Sequence, residues 1–261
     1  MSEGGGFALA VSGTLGAETR RSTMVERLAT RGRLLLNETA EEWGVHPMTI
    51  RRDFEILEDT GLARRVRGGL VHIGSDGFSQ RQHRSAGAKR RIAEKLVDLV
   101  GDGMAIGFDA STTVFQLTTT LPQLSGVSII TNGLSAFQAL HGRQGVRCFL
   151  TGGEREEQNI SLVGPLAVRA LRNFNLDICF ISTMSVDARL GTSETTMEQV
   201  AVKEAMATAS DRVVLAVDSG KLETRSRVRS LGLDRIDVMV TELDGADSRL
   251  DSYRESVRSI L

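Results

Sequence analysis

Cysteine is scarce in this 261-residue chain, with Cys148 and Cys179 the two present. Each sits inside an apolar, strand-like run, so a disulfide-stapled scaffold is excluded and a reducing cytoplasm is the expected compartment. Both thiols read as small buried hydrophobes. The four histidines, His46, His72, His83 and His141, are scattered and pair with no cysteine at metal-ligand spacing. Neither a structural metal nor another cofactor is therefore expected. No apolar run approaches the ~20 residues of a membrane span, and no membrane partner is expected. Charge of one sign is missing too: 32 Lys and Arg against 33 Asp and Glu leave a formal net charge of -1. Without a global basic field, any contact with DNA has to come from local placement of charge.

What is present is an ordinary globular composition, 41% hydrophobic and 25% charged, at a length that favours two domains. The glycine-rich start, MSEGGGFALAVSGTLG, lacks the basic stretch of a signal peptide and is expected to form a flexible tail over residues 1–18.

From 19 to 75 the pattern is that of a winged helix-turn-helix. TRRSTMVERLATRG carries Met24 and Leu28 at helical spacing and ends at Gly32. Asn37 is the predicted N-cap of a short helix over ETAEEWG, with Gly44 at its C-terminal cap. A third helix opens at Pro47, where the missing N–H costs nothing. Ile50, Phe54 and Leu57 then recur as one apolar stripe. At ~100° per residue, Met48 and Arg52 lie opposite that stripe and Thr49 and Arg51 flank it. A recognition helix has this arrangement, and an arginine fork suits either guanine O6/N7 or a phosphate. Exposed arginine pairs also occur without function, and Asp53, Glu55, Glu58 and Asp59 are at hand to neutralise these two. LARRVRGGLVHI tips the reading towards DNA. Two β-prone runs around Gly68-Gly69 read as a hairpin, whose Arg64, Arg65 and Arg67 add a second basic cluster on an adjacent wing. Residues 1–80 hold ten Lys and Arg against eleven Asp and Glu, so double-stranded DNA is recognised by position rather than bulk charge, with a moderate salt dependence.

The polar stretch over residues 76–86 reads as a linker. From 87 to 261, strand-like runs alternate with helical ones, the signature of an α/β domain with a largely parallel sheet. The strand runs are MAIGFDA, VSIITNG, VRCFLTGG, LDICFIST, RVVLAVDSGK and VMVTELDG. Ligands of such sheets bind at the carboxyl ends of the strands, and here those ends are consistently polar. The first runs into Asp109, Ser111, Thr112 and Thr113 ahead of a helix whose N–H groups suit a phosphate. The next two end in Thr131-Asn132 and Gly152-Gly153, and a fifth ends in Asp218 and Lys221. Asp109 suits sugar hydroxyls, and Lys221 supplies a counter-charge. Serines and threonines here are also ordinary helix caps, and Gly-Gly an ordinary turn; four complementary strand ends together point to a site.

TIRRDFEILEDTGLARRVRGG, residues 49 to 69, is very similar to the DNA-binding signature of the DeoR family of bacterial transcriptional regulators. FDASTT, IITNGL, LTGGE, LVGPLA, VKEAM and VDSGK resemble the family's later segments in order, over roughly residues 20 to 250. The resemblance implies a second domain similar to sugar-phosphate isomerases that senses a phosphorylated sugar and thereby releases DNA. It adds Lys203 to the ligand residues and His46 to the DNA-binding ones. The chain departs from the family at Ser111, Ser182 and Ser185, where glycine is usual. It departs again at His46, where a serine cap is usual, and at Arg67, where histidine is. Loss of the serine is expected to weaken the cap. The expected function is a homo-oligomeric repressor of carbohydrate-metabolism genes, dimer or tetramer, that is not an enzyme. The alternative is an isomerase-like enzyme with an accessory DNA-binding module, using Asp109 or Glu198 with Lys221.

Overall fold

The computed structural model describes residues 14–59, 63–72 and 78–261. The chain parts into two compact units between Gln80 and Arg81. The first holds α1 (Thr14–Arg31), β1 (Arg33–Leu35), α2 (Leu36–Glu42), α3 (Pro47–Asp59), β2 (Ala63–Val66) and β3 (Gly69–His72). Its strands form an antiparallel sheet in the order β1-β3-β2, completing a winged helix-turn-helix. Met24 and Leu28 of α1 pack with Leu34, Leu70 and the Ile50, Phe54, Leu57 stripe of α3. The periodicity of α3 thus builds the core that fixes its outer face.

Four local expectations are corrected. Residues 14–18 belong to α1 rather than to a tail; residues 1–13 lie outside the described residues. The strand β1 arises from a run too short to announce itself. Asn37 lies inside α2, whose N-cap Leu35 has an apolar side chain and makes no side-chain cap hydrogen bond. The wing turns at Arg67-Gly68, because Val66 already pairs with Gly69. Gly68 there takes φ +86, the left-handed conformation that glycine supplies freely. Gly69 serves closeness instead: a Cβ on it would stand 2.3 Å from the Leu34 carbonyl oxygen.

The chain enters the second unit through α4 (Phe78–His83), so the stretch expected as a linker over 76–86 contains a helix; its first two residues lie outside the described ones. There follow α5 (Ala86–Val97), β4 (Ala105–Phe108), α6 (Thr112–Thr120), β5 (Val127–Thr131), α7 (Leu134–Leu140) and β6 (Val146–Leu150). The hairpin β7 (Glu154–Glu156) and β8 (Ser161–Val163) leads to α8 (Pro165–Leu171), β9 (Ile178–Ile181), β10 (Ser185–Asp187) and β11 (Gly191–Glu194). Last come α9 (Met197–Thr208), β12 (Val213–Ala216), β13 (Val228–Arg229), β14 (Val238–Val240) and β15 (Ser259–Ile260).

Seven strands make one parallel sheet in the order β15-β14-β12-β9-β4-β5-β6. Burial of both faces explains the continuous apolar runs of its central strands. Phe108, Phe180 and Val214 meet Ile92 and Leu96 of α5 and Leu117 of α6 on one face. Cys179, Ile181 and Leu215 meet Leu171 of α8 and Met206 of α9 on the other. Burial pushes the Cys179 thiol up to about 12 and the Cys148 thiol up to about 11, as befits inert hydrophobes. Chain order runs one way from β4 through β5 to β6, then the other way from β9, so the switch point lies between β4 and β9. Among the described residues no helix is long and apolar enough to cross a membrane.

Gly69→Ala should lower the stability of the first unit by about 1–3 kcal/mol, as overpacking does. An unchanged urea midpoint for that unit would show that β1 and β3 tolerate a wider spacing.

Candidate functional site

On the first unit, α3 turns Met48, Arg51 and Arg52 to solvent, with Thr49 half-buried beside them. Three of the four acids expected to neutralise the arginines are engaged elsewhere. Asp53 is buried, accepting from Arg20 Nε at 2.7 Å and Arg21 Nη1 at 3.3 Å. Glu58 and Glu55 hold Arg65, whose Nε lies 2.6 Å from Glu58 Oε2 and whose Nη1 lies 2.9 Å from Glu55 Oε1. The Arg65 backbone N–H also donates to Glu58 at 2.9 Å. That N–H and the guanidinium keep the Glu58 carboxyl below its usual range. Arg65, itself exposed, thus staples the wing to α3 through these two acids. Arg51, Arg52 and Arg67 are exposed, and among the described residues no ion pair holds them. The side chain of Arg64 lies outside the described residues. His46 precedes Pro47, and its Nδ1 accepts from the Met48 backbone N–H at 3.2 Å. The cap expected to weaken without serine is kept by an imidazole.

On the second unit, the end of β4 at the switch point carries Asp109, almost fully buried. Its Oδ1 accepts from the Ser111 N–H at 3.0 Å, and its Oδ2 from the Ser182 N–H at 2.9 Å and Lys203 Nζ at 2.5 Å. Lys203, mid-way along α9, is 6% exposed rather than solvated. It also donates to the Ser182 carbonyl at 2.7 Å and stands 3.6 Å from Glu194 Oε1. Burial alone would lower its pKa; the charges of Asp109 and Glu194 outweigh that and raise it. Burial pushes Glu194 up, towards its neutral form. Lys221 donates to the Thr183 carbonyl at 2.7 Å and Ser182 Oγ at 3.3 Å, with Asp218 3.9 Å away. Burial pushes it down.

Two participants were not anticipated. Glu194 lies on β11 and gives no pattern in the sequence. Lys89 does: it shares the buried stripe of α5 with Ile92, Ala93 and Leu96, where a lysine is out of place. Its Nζ donates to the carbonyls of Arg84, at 2.7 Å, and Arg81. Burial and then the charge of Lys221 bring it down to about 8.

The remaining strand-end residues divide. Thr112 and Thr113 are buried at the start of α6, and Thr113 Oγ1 has no partner among the described residues. At the end of β5, Thr131 Oγ1 accepts from the Gly133 N–H at 3.0 Å. Asn132 donates to the Leu162 carbonyl at 3.1 Å and leaves its buried Oδ1 unpaired among the described residues. Gly152 has open space where a Cβ would go, whereas a Cβ on Gly153 would stand 2.5 Å from the Val163 carbonyl oxygen. The glycine at 153 thus serves the contact with β8, and no hydrogen bond joins either glycine to the Asp109 cluster among the described residues. Glu198, considered as a catalytic base, is exposed on the first turn of α9. The buried acid beside Lys203 is Glu194.

Against known proteins, residues 20–76 match the DeoR-like helix-turn-helix domain and residues 84–243 the DeoR C terminal sensor domain. The chain belongs to the DeoR family. It is a DNA-binding transcriptional regulator. Relatives include the HTH-type transcriptional regulator GlpR of Haloferax volcanii, 31% identical over 88% of this chain and 92% of that one. The L-fucose operon activator of Haemophilus influenzae is 29% identical over 90% of this chain and 96% of that one. The glycerol-3-phosphate regulon repressor of Escherichia coli is 26% identical over 85% of this chain and 90% of that one. A ribose 5 phosphate isomerase A from Neisseria gonorrhoeae covers 51% of this chain and 52% of its own at 16% identity, with a TM-score of 0.37, too slight a likeness to bear on activity.

Where this DeoR-family regulator carries serines in place of glycines, none takes a positive φ. Ser111 is the N-cap of α6 at φ -75, its Oγ accepting from the Val114 N–H at 3.1 Å. Ser182 accepts from Lys221, and Ser185 opens β10. The hydroxyls are used, and glycine's freedom is not needed.

Lys89 sets a pH test. Its folded pKa lies below the unfolded value of about 10.4, so the unfolded chain holds more protons between about pH 8 and 10. Stability therefore rises with pH across that window. Urea unfolding of Lys89→Met should show a shallower rise than the parent; identical slopes would mean that Lys89 is hydrated as in the unfolded chain.

Proposed function

We propose that this regulator represses genes of sugar metabolism from an operator it grips as a homo-oligomer, and that a phosphorylated sugar at the strand ends of its second unit releases it. The observation that supports this most is the buried Asp109–Lys203 pair at the β4–β9 switch point, with Lys221 beside it. Three lysines, Lys89, Lys203 and Lys221, converge near these strand ends, which favours an anionic guest. Asp109, Asn132 and Thr113 offer groups for sugar hydroxyls, and the N–H groups opening α6 suit a phosphate. Binding without turnover accounts for the same residues, with Asp109 committed to an ion pair and Glu198 in solvent. We place the protein in the cytoplasm.

On the DNA side, Arg51 and Arg52 read or clamp the major groove, flanked by Met48 and Thr49, while Arg67 at the wing tip meets backbone phosphate. A single module gives little specificity, and a symmetric oligomer matches paired half-sites. The relatives named for sugar-linked operons include both a repressor and an activator; repression is the sign proposed here.

Fluorescence anisotropy on DNA from upstream of the protein's own gene tests both halves. Addition of ribose 5-phosphate, glucose 6-phosphate, fructose 1-phosphate or glycerol 3-phosphate at fixed salt should show release by at least one. Tight, specific binding that none disturbs would refute the sensor half. Arg52→Ala should weaken operator binding by about 1–3 kcal/mol if it reads a base; an equal loss on random DNA would assign it to phosphate.

A further inference from the structure

Gln199 lies one helical turn before Lys203 on the buried face of α9. Lys203 faces Asp109, whereas the Gln199 amide turns to the β7–β8 hairpin. Its Nε2 donates to Glu156 Oε2 at 2.9 Å and to Ser161 Oγ at 3.0 Å. The Glu156 carboxylate also accepts from Ser161 Oγ at 2.9 Å and from Asn159 Nδ2 at 2.8 Å and 3.0 Å. With its amide nitrogen so engaged, Asn159 presents its Oδ1 outward, where it accepts from Arg81 Nη2 at 2.6 Å. The Gln158 carbonyl takes the same nitrogen at 3.3 Å.

Arg81 belongs to the last turn of α4, through which the chain passes between the two units. It is gripped a second time at its carbonyl, by Lys89. One route thus runs from Lys203 along α9 and through the hairpin to the Arg81 side chain, while Lys89 holds the Arg81 main chain.

We propose that Arg81 is the positioning residue that reports occupation of the strand-end site to α4, through the relay Gln199–Glu156–Asn159. This rests on the reading of those strand ends as the effector site. An anion among the lysines draws Lys203 and Lys221 towards itself, at the expense of the Asp109 and Ser182 contacts. The face of α9 that carries Lys203 also carries Gln199, so a shift of one disturbs the other's hold on Glu156. The bistable element is the end of α4: six residues long and polar, it is ordered while Arg81 is held at both ends and loosened when one grip fails. A merely local clamp of the hairpin would need no partner beyond Ser161 and Gln199; the relay continues to the segment joining the units.

Hydrogen exchange on the full chain tests this without an effector. Gln199→Leu fills the amide's volume and cuts the relay at its first step, so amides of residues 81–85 should exchange roughly 10-fold faster. Faster exchange confined to 154–163, with 81–85 unchanged, would overturn the proposal. Should Gln199→Leu fail to fold, Asn159→Ala decides by the same reading. For the regulated step, any compound of the four-sugar-phosphate panel that releases the parent from DNA should bind Asn159→Ala within about 3-fold of the parent by calorimetry. The same compound should need at least about 10-fold more to release that variant. Release at an unchanged concentration would overturn the relay. A panel without a binder would overturn the strand-end reading instead, and the exchange rates would still decide the relay.

Discussion

Burying an ammonium in the middle of a helix costs several kcal/mol unless a carboxylate meets it, and Asp109 meets Lys203 at 2.5 Å. That contact organises the second unit. Asp109 also receives N–H groups from Ser111 and Ser182, so one carboxylate joins the end of β4, the start of α6, the end of β9 and the buried face of α9. Four elements remote in sequence are brought into register by one group. The place follows from topology: the strand order reverses between β4 and β9, and their ends part there to leave room for side chains. Replacing only one partner would leave the other as a buried charge without its nearest counter-charge.

The first unit uses charge in a complementary way. Its acids and bases nearly balance, yet they are distributed unequally between faces. Asp53 is drawn inward to Arg20 and Arg21 of α1, and Glu55 and Glu58 are drawn sideways to Arg65. These pairings engage three of the four acids close to Arg51 and Arg52 in sequence. A domain of nearly balanced charge thereby leaves both arginines exposed and without ion pairs among the described residues, the local placement that the proposed DNA contact requires.

How much of this could be read in advance depended on the range of the forces involved. The stripe of Ile50, Phe54 and Leu57 and the two basic runs were legible, because helical periodicity and hairpin alternation are local. So were the parallel strands, whose burial on both faces leaves continuous apolar runs. The strand β1 was not, because three residues carry no period and β1 exists only by pairing with β3. The helix α4 hid inside a polar stretch because the contacts on its Arg81 come from Asn159, far off in sequence, and from Lys89 on the next helix. The pairing of Arg65 was hidden for the same reason: its partner Glu58 lies on another element. Lys89 and Lys203 were legible in principle, each standing on an apolar stripe where a lysine calls for an explanation. Glu194 offered no such mark.

The serines bear on what the strand ends can recognise. A glycine at 111 or 182 would leave only backbone N–H groups there, and those of Ser111 and Ser182 already serve Asp109. With serine, Ser111 caps α6 and Ser182 accepts from Lys221, so each hydroxyl is engaged and can be released only by exchange for a better acceptor. A phosphate oxygen is such an acceptor for Lys221, whereas a neutral sugar hydroxyl is a poor one. A guest at the proposed site therefore gains most if it brings charge as well as hydroxyls, since a neutral one returns less than the serine contacts it displaces.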